Sequence, residues 1–217
     1  MPDIKTNILH IQQSIHRQNI TVLAVSKAQS IEKIREAYLA GIDNFGENYL
    51  QEAIDKIEKM PNCHWHYIGH IQSNKCKKIS QYFSWVHTVD RIEIAKLLDK
   101  ANQSLQKTQN ICIQINLFNE PQKSGITPFQ VKQLITEILH LPHLHLRGLM
   151  TILPDHFTPA EQLEAYQQLA ALLVDLNQTL NLNMDTLSMG MSGDYLQAIA
   201  AGSTMIRLGQ AIFGERT

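Results

Sequence analysis

The apolar positions of this chain fall into two alternating rhythms. Residues 20–27, ITVLAVSK, form a near-continuous apolar run, as expected of a strand buried in a parallel sheet. The period then changes. Ile31, Ile34 and Tyr38 recur at helical spacing, with Ser30 placed to cap the start and Gly41 to stop the helix. This pair of elements repeats along the chain. Further strands are expected at 44–47, 64–69, 85–89, 111–117, 144–151, 186–189 and 204–208. Helices are expected to about 59, over 77–83, from 91 to about 105, from 128 to about 140, from 159 to about 180 and from 194 to about 201, with a last turn at 211–213. An opening helix from Ile4 to about Gln18 precedes the first strand.

Strand–helix alternation implies a parallel sheet. About eight such units favour an α/β fold closed as a (β/α)8 TIM barrel. A doubly wound open sheet of six or seven strands is the alternative. Such barrels start at roughly 200 residues, so 217 residues leave little room for anything else. The expectation is a single domain over 1–217 with an extra N-terminal helix. No linker, low-complexity segment or long charge block interrupts it.

Composition narrows the function classes. Charged residues make up 18%, and Gln and Asn fill the shortfall, while 44% apolar residues speak for a folded chain. A formal net charge of -1 argues against binding nucleic acid by bulk phosphate neutralisation, and against adhesion to acidic lipid. Cys63, Cys76 and Cys112 form no C-x-x-C pair and are too few for a disulfide framework. They read as reduced thiols of a cytoplasmic protein. The longest apolar run, 169–174, is far short of a membrane span, and the N-terminus has no signal-peptide core.

In a barrel the chemistry sits at the C-terminal ends of the strands, and phosphate is commonly held after strands seven and eight. Lys27 ends strand one behind a wholly apolar stretch. Apolar walls disfavour its charged form and make the amine nucleophilic, as a Schiff-base lysine requires. The plain alternative is a strand-end lysine snorkelling to water. The closing segment places Ser188, Gly190, Ser192 and Gly193 after strand seven, Gly202, Ser203 and Thr204 at the start of strand eight, and Gly209 at its end. Small residues admit an anion to backbone N–H groups, and hydroxyls add donors. Asp194 reads as a partner of the following helix dipole. Arg207, within strand eight, needs a partner: a ligand ring nitrogen, or Glu47 as an ion pair. A lysine plus an anion cradle suits pyridoxal 5′-phosphate, or a sugar phosphate held by a Schiff-base aldolase.

Six blocks then carry a family resemblance. AVSK (24–27), FGENYLQE (45–52), WHYIGHIQSNK (65–75), TVDR (88–91), GLMTILP (148–154) and LSMGMSGDYLQAIAAGSTMIRLGQAIFG (187–214) resemble, in order, the YggS/PROSC family of pyridoxal phosphate homeostasis proteins. The resemblance implies a fold type III barrel, like the N-terminal domain of alanine racemase, and a pyridoxal 5′-phosphate cofactor. It puts the cofactor lysine at Lys27 and the phosphate contacts at Ser192, Ser203, Thr204 and Gly209, with Ser188 and Gly202 in the same block. It sets Arg207 against the pyridine nitrogen, Asn48 at the hydroxyl edge and Met150 against the ring. The chain departs from the family at Ala28-Gln29-Ser30, where Thr-Lys or similar, often followed by a proline, is usual.

A cationic arginine at the ring nitrogen disfavours its protonation and weakens the cofactor as an electron sink. No residues remain for the second domain that gives alanine racemases their tyrosine base. The resemblance therefore implies a monomeric carrier that buffers pyridoxal 5′-phosphate or delivers it to apoenzymes, with an amino-acid racemase as runner-up. Other residues carry weaker signals. His64, His66, His143 and His145 show H-x-H spacing without a third ligand, so no metal is expected. His70 could line the pocket, and Lys123 to Gly125 resemble a family loop at its mouth. Lys75, Lys77 and Lys78 read as a solvated face, and Cys112 as core.

Overall fold

The computed structural model describes residues 3–15 and 19–215. Eight parallel strands close into a barrel in sequence order: β1 (Thr21–Val25), β2 (Asn44–Glu47), β3 (His64–Tyr67), β4 (Trp85–Val89), β5 (Gln109–Gln114), β6 (Leu144–Met150), β7 (Thr186–Ser188) and β8 (Met205–Leu208). β8 pairs with β1, Thr21 opposite Met205 and Ala24 opposite Leu208, and that closure excludes the open sheet.

The helices are α1 (Ile4–Ser14), α2 (Ile31–Leu39), α3 (Leu50–Lys59), α4 (Cys76–Tyr82), α5 (Ile92–Ser104), α6 (Pro128–Ile138), α7 (Pro159–Leu180), α8 (Tyr195–Ala200) and α9 (Gln210–Phe213). Their starts are written locally. Ser30 caps α2 by accepting from the Lys33 N–H, and Gly41, at φ +96°, closes the turn that ends it. Thr158 and Glu161 form a reciprocal capping box on α7. The extra N-terminal helix packs on α2 and α9, with Asn7 Nδ2 donating to the Ile212 carbonyl at 3.0 Å. Its expected end at Gln18 lies outside the described residues.

Two strand boundaries differ from expectation in ways that matter. β5 ends at Gln114 rather than 117, because Asn116 turns inward and binds the carbonyls of Glu120 and Lys123. β8 starts at Met205, because Thr204 is tied to Leu187 by its N–H and by its hydroxyl oxygen. The three cysteines are free and buried, and burial pushes the Cys112 thiol up to about 12. Among the described residues no helix is long and apolar enough to cross a membrane.

Candidate functional site

The β1–β8 register sets the ends of these two strands side by side. Lys27, two residues beyond β1, is half-buried there. It lines a cleft of about 400 Å3 together with Val25, Gly209 and Gln210. A side chain at 209 would stand 3.6 Å from Val25, inside the cleft. The strand-one lysine and the exit of strand eight thus share one space, at the end of the barrel where such folds keep their chemistry.

The loop after β7 reaches the same place. Gly190 adopts φ +97°, and a Cβ there would come within 2.6 Å of Ala198 Cβ, so the turn admits only glycine. Its carbonyl accepts the Arg207 N–H at 2.9 Å. Ser192 Oγ accepts the Ala211 N–H at 3.1 Å and joins this loop to the start of α9. Asp194 stands at the N-cap of α8, at the helix start as expected, and its side chain makes no capping hydrogen bond there. Its carboxylate accepts from the Met191 N–H at 2.6 Å and from the Tyr166 hydroxyl at 2.8 Å, which braces the loop from behind.

Gly202, Ser203 and Thr204 are not brought to this cleft. They lie before β8, at the opposite end of the barrel. The buried Ser203 hydroxyl contacts the carbonyls of Met189, Met205 and Leu187 at 2.8, 3.2 and 3.3 Å. Thr204 Oγ1 accepts the Leu187 N–H at 2.9 Å. These hydroxyls complete the hydrogen bonding of β7.

Inside the barrel runs a chain of polar groups. Arg207 is buried, and its guanidinium donates to the Ser188 carbonyl (2.6 Å), Ser188 Oγ (3.0 Å) and the Thr151 carbonyl (2.8 Å). Ser188 Oγ lies 2.8 Å from His87 Nδ1, His87 Nε2 2.9 Å from His66 Nδ1, and His66 Nε2 2.9 Å from Asn44 Oδ1. One arrangement of protons satisfies every link. Asn44 Oδ1 can only accept, so His66 donates from Nε2, His87 donates from Nε2 to His66 Nδ1, and Ser188 donates to His87 Nδ1. Both imidazoles are then neutral. Burial, with a smaller push from His64, takes His66 down to about 3, and burial takes His87 well below its ordinary value. Burial also lowers Arg207, against the pull of Tyr166 and Asp194. Met150, fully buried on β6, stands opposite Ser188. Arg207 makes no ion pair with Glu47, because Glu47 pairs with Lys56 at 2.8 Å.

Asn48 follows β2, which pairs with β1 through Val25 and Gly46, and it lines a second cleft of about 280 Å3 with His70, Thr88, Asn116, Lys123 and Ser124 among others. A Cβ at Gly69 would come within 2.3 Å of the Asn48 carbonyl, so this glycine admits the Asn48 backbone. Asn48 Oδ1 is buried without a partner among the described residues. Lys123 pairs with Glu120 at 2.8 Å. Lys77 and Lys78 are exposed. Among the described residues no group of three or more His, Cys, Asp or Glu side chains could hold a metal ion. Sequence reasoning missed His87 and Tyr166. The signal for His87 was a histidine two places from Trp85, on the same face of the strand.

Comparison with known proteins places this architecture. The family model of the alanine racemase N-terminal domain matches residues 1–217. A pyridoxal phosphate homeostasis protein of Pasteurella multocida is 44% identical, over 100% of this chain and 96% of its own length. PipY of Synechococcus elongatus PCC7942, solved with PLP bound, superposes with a TM-score of 0.92 at 34% identity, covering 98% of this chain and all of PipY. Alanine racemase of Clostridium difficile shares the fold at a TM-score of 0.82 and 14% identity, and this chain covers 57% of it. The chain belongs to the YggS/PROSC family of pyridoxal phosphate homeostasis proteins, built on the barrel of the alanine racemase N-terminal domain.

Proposed function

We propose that this protein binds pyridoxal 5′-phosphate through Lys27, as a Schiff base, and buffers or delivers it to apoenzymes without robust catalysis. The observation that carries the reading is the shared cleft of Lys27 with Gly209 and Gln210. Two further features fit this ligand. Arg207 is a buried cation with no carboxylate in salt-bridge contact among the described residues, and Asn48 Oδ1 is an acceptor in want of a donor. The bound cofactor would supply a reactive carbonyl carbon and an electron-withdrawing ring.

The chain's own residues divide the work. Lys27 offers the amine. Ser192 and Gly209 form the phosphate end, and the Ala211 N–H, donated to Ser192 Oγ, holds that hydroxyl in place. Arg207 commits three of its five N–H donors to Ser188 and Thr151. In that position it stays cationic and holds the ring nitrogen free of a proton, which weakens the ring as an electron sink. A single domain over 1–217, a monomeric state and a cytoplasmic location belong to the same reading.

The test is borohydride trapping with pyridoxal 5′-phosphate, followed by peptide mapping. Lys27 carries the label, and Lys27→Ala loses the yellow absorbance while keeping weak binding. Arg207→Ala changes the absorbance more than the affinity. Unchanged absorbance in Lys27→Ala overturns the lysine assignment. Enzyme-limited interconversion of alanine enantiomers, lost with Lys27, replaces the carrier with a racemase.

A further inference from the structure

Lys27 stands at the centre of a turn that the Gln29 N–H closes onto the Ser26 carbonyl at 3.0 Å. Ala28, the next residue, sits at φ +59°, in the left-handed region where an L side chain is disfavoured and glycine or asparagine is usual. Something must hold it there.

Three charged side chains converge on the two neighbours of Lys27. From α3, Glu52 Oε1 accepts the Ala28 N–H at 2.6 Å, and Lys56 Nζ donates to the Ser26 carbonyl at 2.7 Å. From the end of β2, Glu47 Oε1 accepts the Ser26 hydroxyl at 2.7 Å. Lys56 ties the two carboxylates together, at 2.8 Å to Glu47 and 2.5 Å to Glu52. Glu47 is fully buried and Lys56 nearly so. Burial pushes the Glu47 carboxyl up, against the pull of Lys56 and Ser26, and its Oε2 has no partner among the described residues.

Such a cluster is costly. Apolar side chains of the same volume commonly stabilise a core as well as a buried ion pair does. What they cannot do is hold a carbonyl and a hydroxyl on one side of a residue and an amide on the other. We infer that Glu47, Glu52 and Lys56 are positioning residues for Lys27, clamping the strained Ser26–Ala28 turn so that its amine is presented to the cleft. The inference rests on the reading of Lys27 as the covalent residue. It also gives the family departure at Ala28 a consequence: the clamp acts on a residue that resists its own backbone conformation.

Glu52 is the variant of choice, because it is half-buried and its removal leaves the Glu47–Lys56 pair in place. Two measurements separate this inference from the cofactor reading. The first is amide hydrogen exchange of Ala28 in ligand-free protein. Glu52→Ala accelerates it about tenfold, the loss expected for a charge-assisted hydrogen bond. Glu52→Gln, which keeps an acceptor oxygen, accelerates it far less. The second is the rate at which Lys27 captures pyridoxal 5′-phosphate, quenched with borohydride as hydride donor and read as labelled peptide. Glu52→Ala slows capture by about tenfold, Glu52→Gln stays near wild type, and adding Ala28→Gly to Glu52→Ala recovers much of the loss because the turn is no longer strained. Unchanged Ala28 exchange, or unchanged capture in Glu52→Ala, overturns the clamp and leaves the cofactor reading standing. No label at Lys27 in the wild-type protein overturns both.

Discussion

Strand β8 is preceded by Gly202, Ser203 and Thr204 and followed by Gly209, Gln210 and Ala211. Read as composition, the leading end is the better anion cradle, with two hydroxyls and a glycine. In the folded protein it lies about 16 Å from the trailing end, at five residues of roughly 3.3 Å each. Its hydroxyls are spent on β7. The trailing end shares a cleft with Lys27 and is joined by Ser192 from the loop after β7. The difference teaches that in a parallel barrel a small polar residue is a binding residue or a structural one according to the strand end it occupies.

Substitutions at the two ends should therefore separate affinity from stability. The largest effect is expected at Gly209→Val, whose side chain occupies the cleft. Overpacking costs of about 1–3 kcal/mol correspond to a roughly ten- to hundredfold weaker Kd for pyridoxal 5′-phosphate. Fluorescence titration would measure it, and the melting temperature should hardly move. Ser203→Ala should do the reverse. It leaves buried carbonyls short of a donor and costs about 1–2 kcal/mol of stability, with affinity unchanged. A Ser203→Ala protein that binds worse while melting normally would erase the contrast. Thr204→Val, which deprives the Leu187 N–H of its side-chain acceptor, is a weaker version, about 1 kcal/mol by thermal melting.

The barrel interior sharpens the comparison through pH. His66 titrates near 3 in the fold, against an ordinary value of 6.5. The unfolded chain therefore takes up that proton first as pH falls. The stability contributed by the neutral imidazole is complete above about pH 6.5 and is lost progressively toward pH 3. His87, also depressed by burial, acts in the same direction. Chemical denaturation across this window should show stability falling with acid, and His66→Asn should reduce the slope by about one proton. The smallest effect is expected at Lys77→Ala on the exposed face of α4, within about 0.5 kcal/mol.

Much of the fold was legible in the residues. The alternation of apolar runs and helical spacing carried the element order, and caps such as Ser30, Thr158 and Gly41 are local chemistry that needs no partner from elsewhere. The places of Lys27, Ser192, Arg207 and Gly209 at or within strand ends were also legible, while their roles toward a ligand belong to the proposed function. The partners of Asp194, Ser203 and Thr204 were not legible. They are Tyr166 and Met191 in one case and β7 in the other, and nothing in spacing ties Tyr166 to Asp194.

The sequence alone determined the order of strands and helices and the chemical types at each strand end, because those follow from local periodicity and backbone preference. Closure decided the rest. It set Lys27 beside Gly209, turned Arg207, His87 and His66 into one buried chain, and brought Glu47, Glu52 and Lys56 onto the neighbours of Lys27. Those contacts join groups distant along the chain. Whether a buried hydroxyl or carboxylate braces the scaffold or faces a ligand depends on which partners the closed barrel leaves it, since the great majority of buried polar groups are hydrogen-bonded.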